Sequence, residues 1–161
     1  MPTPATHTWR PSNARTIVLD SFVGVPRGTA AIAPPPLSWA AKDPADLLDY
    51  QFDITPAVVG NQGDGIATLD IATSPSNPGD LALSSATADG TLAVMWFSGG
   101  QAGTVYTVTI TISTINGRNI NRSVLLPCLA LSSPPIPANS LVTSTGTVLT
   151  DENGNPIILG S

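Results

Sequence analysis

Between residues 91 and 126 the chain alternates. Val108, Ile110 and Ile112 are set off by Thr107, Thr109 and Thr111, with Val105 and Tyr106 breaking the phase at the start. A period of two places one set of side chains inward and the other outward. Thr, Val and Ile are stiff at χ1 and suit a pleated surface. Asn116-Gly117 then predicts a tight turn with a pair of positive φ angles. A return strand follows over 118–126, with Ile120, Val124 and Leu126 as candidate inward positions. This hairpin predicts antiparallel β structure with one wet face and one buried face.

The same pattern recurs on either side. Tyr50, Phe52 and Ile54 alternate with Gln51 and Asp53; Ile66, Thr68 and Asp70 alternate with Ala67, Leu69 and Ile71. Short strands are also expected over 81–87 and 91–97, joined at the hairpin signal Asp89-Gly90. Gly- and Pro-rich stretches at 55–65, 74–80 and 98–103 separate them. Asp43-Pro44-Ala45-Asp46 predicts a helix start of a turn or two, with Asp43 as cap and Pro44 at the first helical position. About seven strands with regular turn signals predict an all-β fold, an immunoglobulin-like antiparallel sandwich over 37–129.

Two extensions flank it. Residues 1–36 predict an extended arm, punctuated by Pro2, Pro4, Pro11 and Pro26 and closed by Pro34-Pro35-Pro36. Its segment 16–25 is apolar enough to be a strand, adding to its own sheet or to a neighbour's. Ordering on a partner is the favoured expectation, because Ile17, Val18, Leu19, Phe22 and Val23 are costly to leave in water. Residues 130–161 predict a Pro-rich linker and a small hairpin tail, 147–150 against 156–159. A two-stranded hairpin is marginal alone, so packing on another chain is expected. The interface candidates are Trp9, Arg10, Arg15, Ile17, Leu19 and Phe22 in the arm, with Val148, Leu149, Ile157 and Ile158 in the tail.

Composition sharpens the class. Only 11% of the residues are charged, Lys42 is the one lysine and Glu152 the one glutamate. That argues against long surface helices and for a surface covered by other chains. The arm is net +2, through Arg10, Arg15 and Arg27 against Asp20. Residues 37–129 are net −5 and the tail −2, so head-to-tail docking between copies is plausible on charge. Three arginines are too few for a nucleic-acid footprint. No apolar run approaches the ~18 residues of a membrane helix, no secretory leader is evident, and one cysteine, Cys128, permits no internal disulfide.

Chemistry is sparse. His7 is alone, and a lone histidine builds neither a zinc site nor a catalytic triad. Asp43, Asp46, Asp49 and Asp53 cluster, and residues 151–155 faintly suggest a calcium loop, but the spacing of such a loop is missing. Capping and solvent-facing roles explain these carboxylates better. Ser98-Gly99-Gly100 is not a nucleophile elbow. Trp39 and Trp96 are expected in the core or an interface, and Trp9 as an interface anchor. No enzyme and no cofactor is implied.

Two blocks carry a resemblance. Residues 39–53 read W-A-A-K-D-P-A-D-L-L-D-Y-Q-F-D, and residues 96–108 read W-F-S-G-G-Q-A-G-T-V-Y-T-V. They resemble the W-x-x-K-D-P-x-x-x-L-D-Y-x-x-D and W-L-S-G-G-x-A-G-x-x-Y-x-V blocks of the tailed-bacteriophage fiber–tail adaptor family; the Gly117-Arg118 turn also fits. The likeness spans about 37–127, is weak over 60–88, and leaves both extensions outside. It implies a virion structural protein, assembled in the bacterial cytoplasm, that attaches fibers to the tail or neck. The partners implied are copies of itself, in a trimer or ring, and other phage proteins of the fiber, tail, neck or capsid, with no nucleic acid and no membrane. The alternatives are a capsid decoration protein and a receptor- or glycan-binding module.

Overall fold

A computed structural model describes residues 11–19, 35–60, 62–132, 139–144 and 146–159. The chain divides into two compact units, Met1–Ala130 and Leu131–Ser161.

The first unit holds two four-stranded sheets in a sandwich-like arrangement. One has the order β1 (Thr16–Val18), β3 (Leu48–Asp53), β6 (Leu92–Gly99), β5 (Leu81–Asp89). The other has the order β2 (Leu37–Ser38), β8 (Asn119–Cys128), β7 (Thr104–Thr114), β4 (Ile66–Ser74). The alternating residues do what their period requires. Ala93, Met95 and Phe97 point inward from β6, Tyr106, Val108, Ile110 and Ile112 from β7, and Val124, Leu126 and Cys128 from β8; all are fully buried. Tyr50 and Phe52 of β3 complete the same core. Tyr106 is therefore in phase with the inward set, and Val105 alone faces out, 53% exposed.

In β4 the strict alternation fails. The register shifts between Ile66 and Thr68. One extra residue lets Ile66 and Leu69, three apart, both pack on the core beside Ile71.

Several local expectations are corrected. Gly117 has φ +86°, but Asn116 is not in the left-handed region. Thr114 and Arg118 close a three-residue loop through Thr114 N–H to Arg118 O, 2.8 Å, so the turn is the bulged three-residue type. The carboxylate of Asp64 accepts the Asn116 N–H at 3.1 Å and holds that shape. At the other hairpin Asp89 pairs with Leu92, and Gly90 (φ +60°) is the first of two loop residues. Asp43–Asp46 forms a hydrogen-bonded turn, not a helix: Asp46 returns its carboxylate to the Asp43 N–H at 3.1 Å, but the chain then enters β3. The one-turn helix α1 lies instead at Thr55–Val58, with Asp53 Oδ1 accepting the Thr55 N–H at 2.8 Å and a proline in its first turn.

The sheets are not purely antiparallel. β1 runs parallel to β3, and β2 parallel to β8. Ala40 N–H donates to Ala14 O at 2.8 Å, tying the segments beside these two edge strands together.

The second unit is more than a hairpin. Val142 pairs with Val148, Thr150 with Pro156, and Ser140 with Ile158, all antiparallel. Leu141 N–H donates to Ile157 O (2.8 Å), Ile157 N–H to Leu149 O (2.9 Å), and Leu149 N–H to Leu141 O (2.8 Å). Three short segments spaced eight residues apart thus close a ring of main-chain hydrogen bonds.

Candidate protein interface

The two sequence blocks meet at one end of the sandwich. Lys42 follows β2 and is fully buried. Its Nζ donates to Asp43 O and Gly99 O, each at 2.7 Å. Its main chain brackets Cys128 at the end of β8: its N–H donates to Pro127 O at 3.0 Å, and its O accepts the Leu129 N–H at 2.9 Å. Burial pushes the Lys42 pKa below its ordinary value, against the pull of Cys128, Asp46 and Asp43. Burial likewise pushes the Cys128 thiol up, with Lys42 opposing. Lysine suits the place because a buried ammonium needs acceptors on more than one side. Here two carbonyls, one from each block, supply them.

Gly99 and Gly100 are needed at this crossing. Gly100 has φ +99°, and a Cβ there would lie 2.9 Å from Cys128 Sγ. Tyr106 locks the next turn: its hydroxyl donates to Asp80 Oδ1 and accepts the Gln101 N–H, both at 2.8 Å. Asp80 also accepts the N–H and the side-chain amide of Asn77. The Asn77 N–H and the Tyr106 hydroxyl, with the Asn77 amide, hold its carboxyl below the usual range against the push of burial. Behind them, Trp39 lies against Tyr50 (centroids 5.2 Å) and Phe97 (6.3 Å), its indole N–H on Gln51 O at 3.3 Å. Tyr50 is fully buried, its hydroxyl lacks a hydrogen-bond partner among the described residues, and burial pushes its pKa up to about 12.

These residues build a scaffold. The ammonium, the thiol and both tyrosines are enclosed, so they do not face an incoming substrate. Among the described residues, no group of three or more His, Cys, Asp or Glu is placed to hold a metal ion.

The family model described as Podophage GP4 fiber-tail adaptor protein gp77 matches residues 42–127. The chain belongs to this fiber-tail adaptor family. No curated protein matches it. The match begins at the buried lysine of the adaptor and ends one residue before Cys128. It therefore covers the crossing of the two blocks and leaves β1, β2 and the whole second unit outside. Membership makes the adaptor a phage virion structural protein that works with other phage structural proteins such as fiber and tail.

The expected interface residues fall into three groups. Trp9, Arg10 and Phe22 lie outside the described residues. Arg15, Ile17 and Leu19 are engaged within the adaptor's own chain. Ile17 and Leu19 are buried in the core, and Leu19 N–H donates to Asp53 O at 2.8 Å. Arg15 places Nη2 3.0 Å from Asp49 Oδ1 and Nε 2.8 Å from Asp49 O. Of the segment 16–25, favoured for a partner's sheet, Thr16–Val18 extends the chain's own sheet beside β3 in this structure, and residues 20–25 lie outside the described residues. In the tail, Val148 is half-buried, and Leu149, Ile157 and Ile158 are 42%, 41% and 56% exposed.

Other exposed apolar residues did not stand out in the sequence. Val59 and Ile115 project from loops at the Asp64 end, and Leu129 and Leu131 follow β8. Trp96 is 37% exposed, alternating with the buried Met95 and Phe97. Its place after Met95 in a strict alternation is the signal that would have separated it from Trp39.

Proposed function

We propose that this chain attaches fibers to the tail or neck of the virion by gripping neighbouring chains through its extensions. One observation carries the reading. Outside the family match lies a unit in which none of the described residues 139–159 is buried, while Val142, Leu149, Ile157, Ile158 and Leu159 are exposed. Aliphatic side chains left in water on so small a unit call for a partner surface. The sandwich supplies the rigid body, and copies of it form a ring or trimer. Arm residues beyond the described segments, with Trp9 and Phe22 as anchors, reach a neighbouring copy. Attachment of one copy strengthens the next, since linked contacts raise the effective concentration. The role is mechanical rather than catalytic, and assembly takes place in the host cytoplasm.

Cryo-electron microscopy of intact particles with localized reconstruction tests this. A small ring of copies at the tail or neck is the expected result. Copies distributed over the capsid lattice would make the protein a decoration protein. Absence from every particle, with host-surface binding by the isolated chain, would make it a receptor-binding module.

A further inference from the structure

The second unit has a threefold pattern. Leu141, Leu149 and Ile157 occupy equivalent positions eight residues apart, and each donates its N–H to another's carbonyl in a closed cycle. The turns repeat too. Gly146 N–H donates to Thr143 O (2.9 Å) and Gly154 N–H to Asp151 O (3.0 Å), with φ +82° and +81° at the two glycines. Thr143 Oγ1 accepts the Thr147 N–H, and Asp151 Oδ1 accepts the Asn155 N–H. The pairs 142/148 and 150/156 are two corners of a triangle; the third, 140/158, joins the incoming and outgoing chain.

Side chains alternate across this layer. Leu141, Leu149 and Ile157 share one face; Val142, Val148, Pro156 and Ile158 share the other. Both faces are uncharged and mainly aliphatic here, with Ser140 and Thr150 alternating onto the second, and none of these side chains is buried. The only charged side chains of residues 139–159 are Asp151 and Glu152, at one turn. The area around the pseudo-axis is therefore uncharged. A layer whose main-chain hydrogen bonds repeat three times, with two closed corners and one open, is matched by a partner that offers the same surface three times.

We infer that residues 139–159 dock coaxially on the end of a homotrimeric protein that presents uncharged, apolar side chains around its threefold axis. One chain of the adaptor then caps three chains of the partner. The symmetry follows from the repeat alone; only the identity of the partner as a fiber rests on the adaptor reading.

Ser144 and Glu152 are exposed and equivalent, one on each complete turn. A photo-crosslinking amino acid is placed at Ser144 in one phage stock and at Glu152 in another. Irradiated particles are then digested and sequenced by mass spectrometry. Both positions should link to the same peptide of the same partner polypeptide. Quantitative mass spectrometry of unmodified particles should count about three partner chains per adaptor chain; this reading survives if a modified chain fails to assemble. Links to two different polypeptides or to two distant peptides would overturn the inference, as would links to residues 1–130, links to a second copy, or no link from either position. Equal copy numbers of adaptor and partner would overturn it as well. A shared peptide in a capsid protein would keep the threefold docking and sink the fiber-attachment reading.

Discussion

Gly100 and Gly103 lie three residues apart in one turn, and both are in the left-handed region, with φ +99° and +85°. They differ in surroundings. A Cβ at Gly103 meets nothing within 4 Å; a Cβ at Gly100 meets Cys128 Sγ at 2.9 Å and Tyr106 Cε2 at 3.4 Å. An L side chain in this conformation costs about 1–2 kcal/mol. Restricting the unfolded chain returns roughly 0.5 kcal/mol. Gly103→Ala should therefore cost about 1 kcal/mol. Gly100→Ala adds overpacking, about 1–3 kcal/mol, for a total of about 2–4 kcal/mol. Urea unfolding followed by tryptophan fluorescence reads both, since Trp39 is buried beside this end. The clash can be isolated by repeating the pair in a Cys128→Ala background. Removing Sγ should bring the two costs within about 1 kcal/mol of each other, because backbone strain remains and overpacking is relieved. Equal costs in the unmodified background would refute the claim that Gly100 packs in van der Waals contact with Cys128.

Three further outcomes are expected. Tyr106→Phe should cost about 1–3 kcal/mol, because the Gln101 N–H and the Asp80 carboxylate both lose a partner; Tyr50→Phe should be neutral or stabilising, because the Tyr50 hydroxyl has no hydrogen bond to lose among the described residues, and paired urea titrations compare them. Ile17→Ala should cost about 2–4 kcal/mol in the isolated chain, since Ile17 is 8% exposed in its own core; unchanged unfolding with lost particle incorporation would return the residue to a partner interface. Burial pushes the Asp64 pKa up, but hydrogen bonds from the Asn116 N–H, Thr114, Arg118 and the Gly65 N–H outweigh it and hold the pKa below the ordinary value. A depressed carboxyl pKa contributes stability that is complete above the unfolded value and lost as pH falls through the folded one. The stability gap between wild type and Asp64→Asn should therefore be constant near neutrality and shrink below about pH 4, as read by urea midpoints across pH; a gap independent of pH would refute the pairing.

The body of the sandwich was legible because its signals are local. The Thr/Val/Ile alternation of 105–112 places β7 to within two residues at each end, since each inward residue is separated from the next by a polar one. The same logic failed wherever geometry depended on something distant. Asn116-Gly117 looks like a two-residue turn until Asp64, 52 residues away, takes the Asn116 N–H. Asp43-Pro44-Ala45-Asp46 satisfies the rules for a helix start, yet β3 claims the residues that would form the next turn. The role of Lys42 was invisible because Gly99, its second acceptor, is 57 residues on. The eight-residue repeat was legible in principle, in Leu141, Leu149 and Ile157 and in Gly146 and Gly154. It was obscured because the equivalent positions vary in polarity: Thr143 matches Asp151 and Leu159.

The distribution of burial also separates two kinds of sensitivity. Around Lys42, Gly100, Tyr106 and Trp39 every side chain is spent on its own chain, so a substitution there lowers the population of folded adaptor and weakens attachment only through that population. In residues 139–159 the reverse holds. Each exposed aliphatic side chain has little internal packing to lose, so on the docking proposed above substitution there should leave the sandwich stable and weaken attachment. Family membership is read from residues 42–127, which hold most of the buried core, while on the docking proposed above the partner is chosen by residues 139–159. Two adaptors could therefore share the buried crossing residue for residue and attach different proteins. A tail exchanged between them at the linker after residue 130 should carry its partner with it.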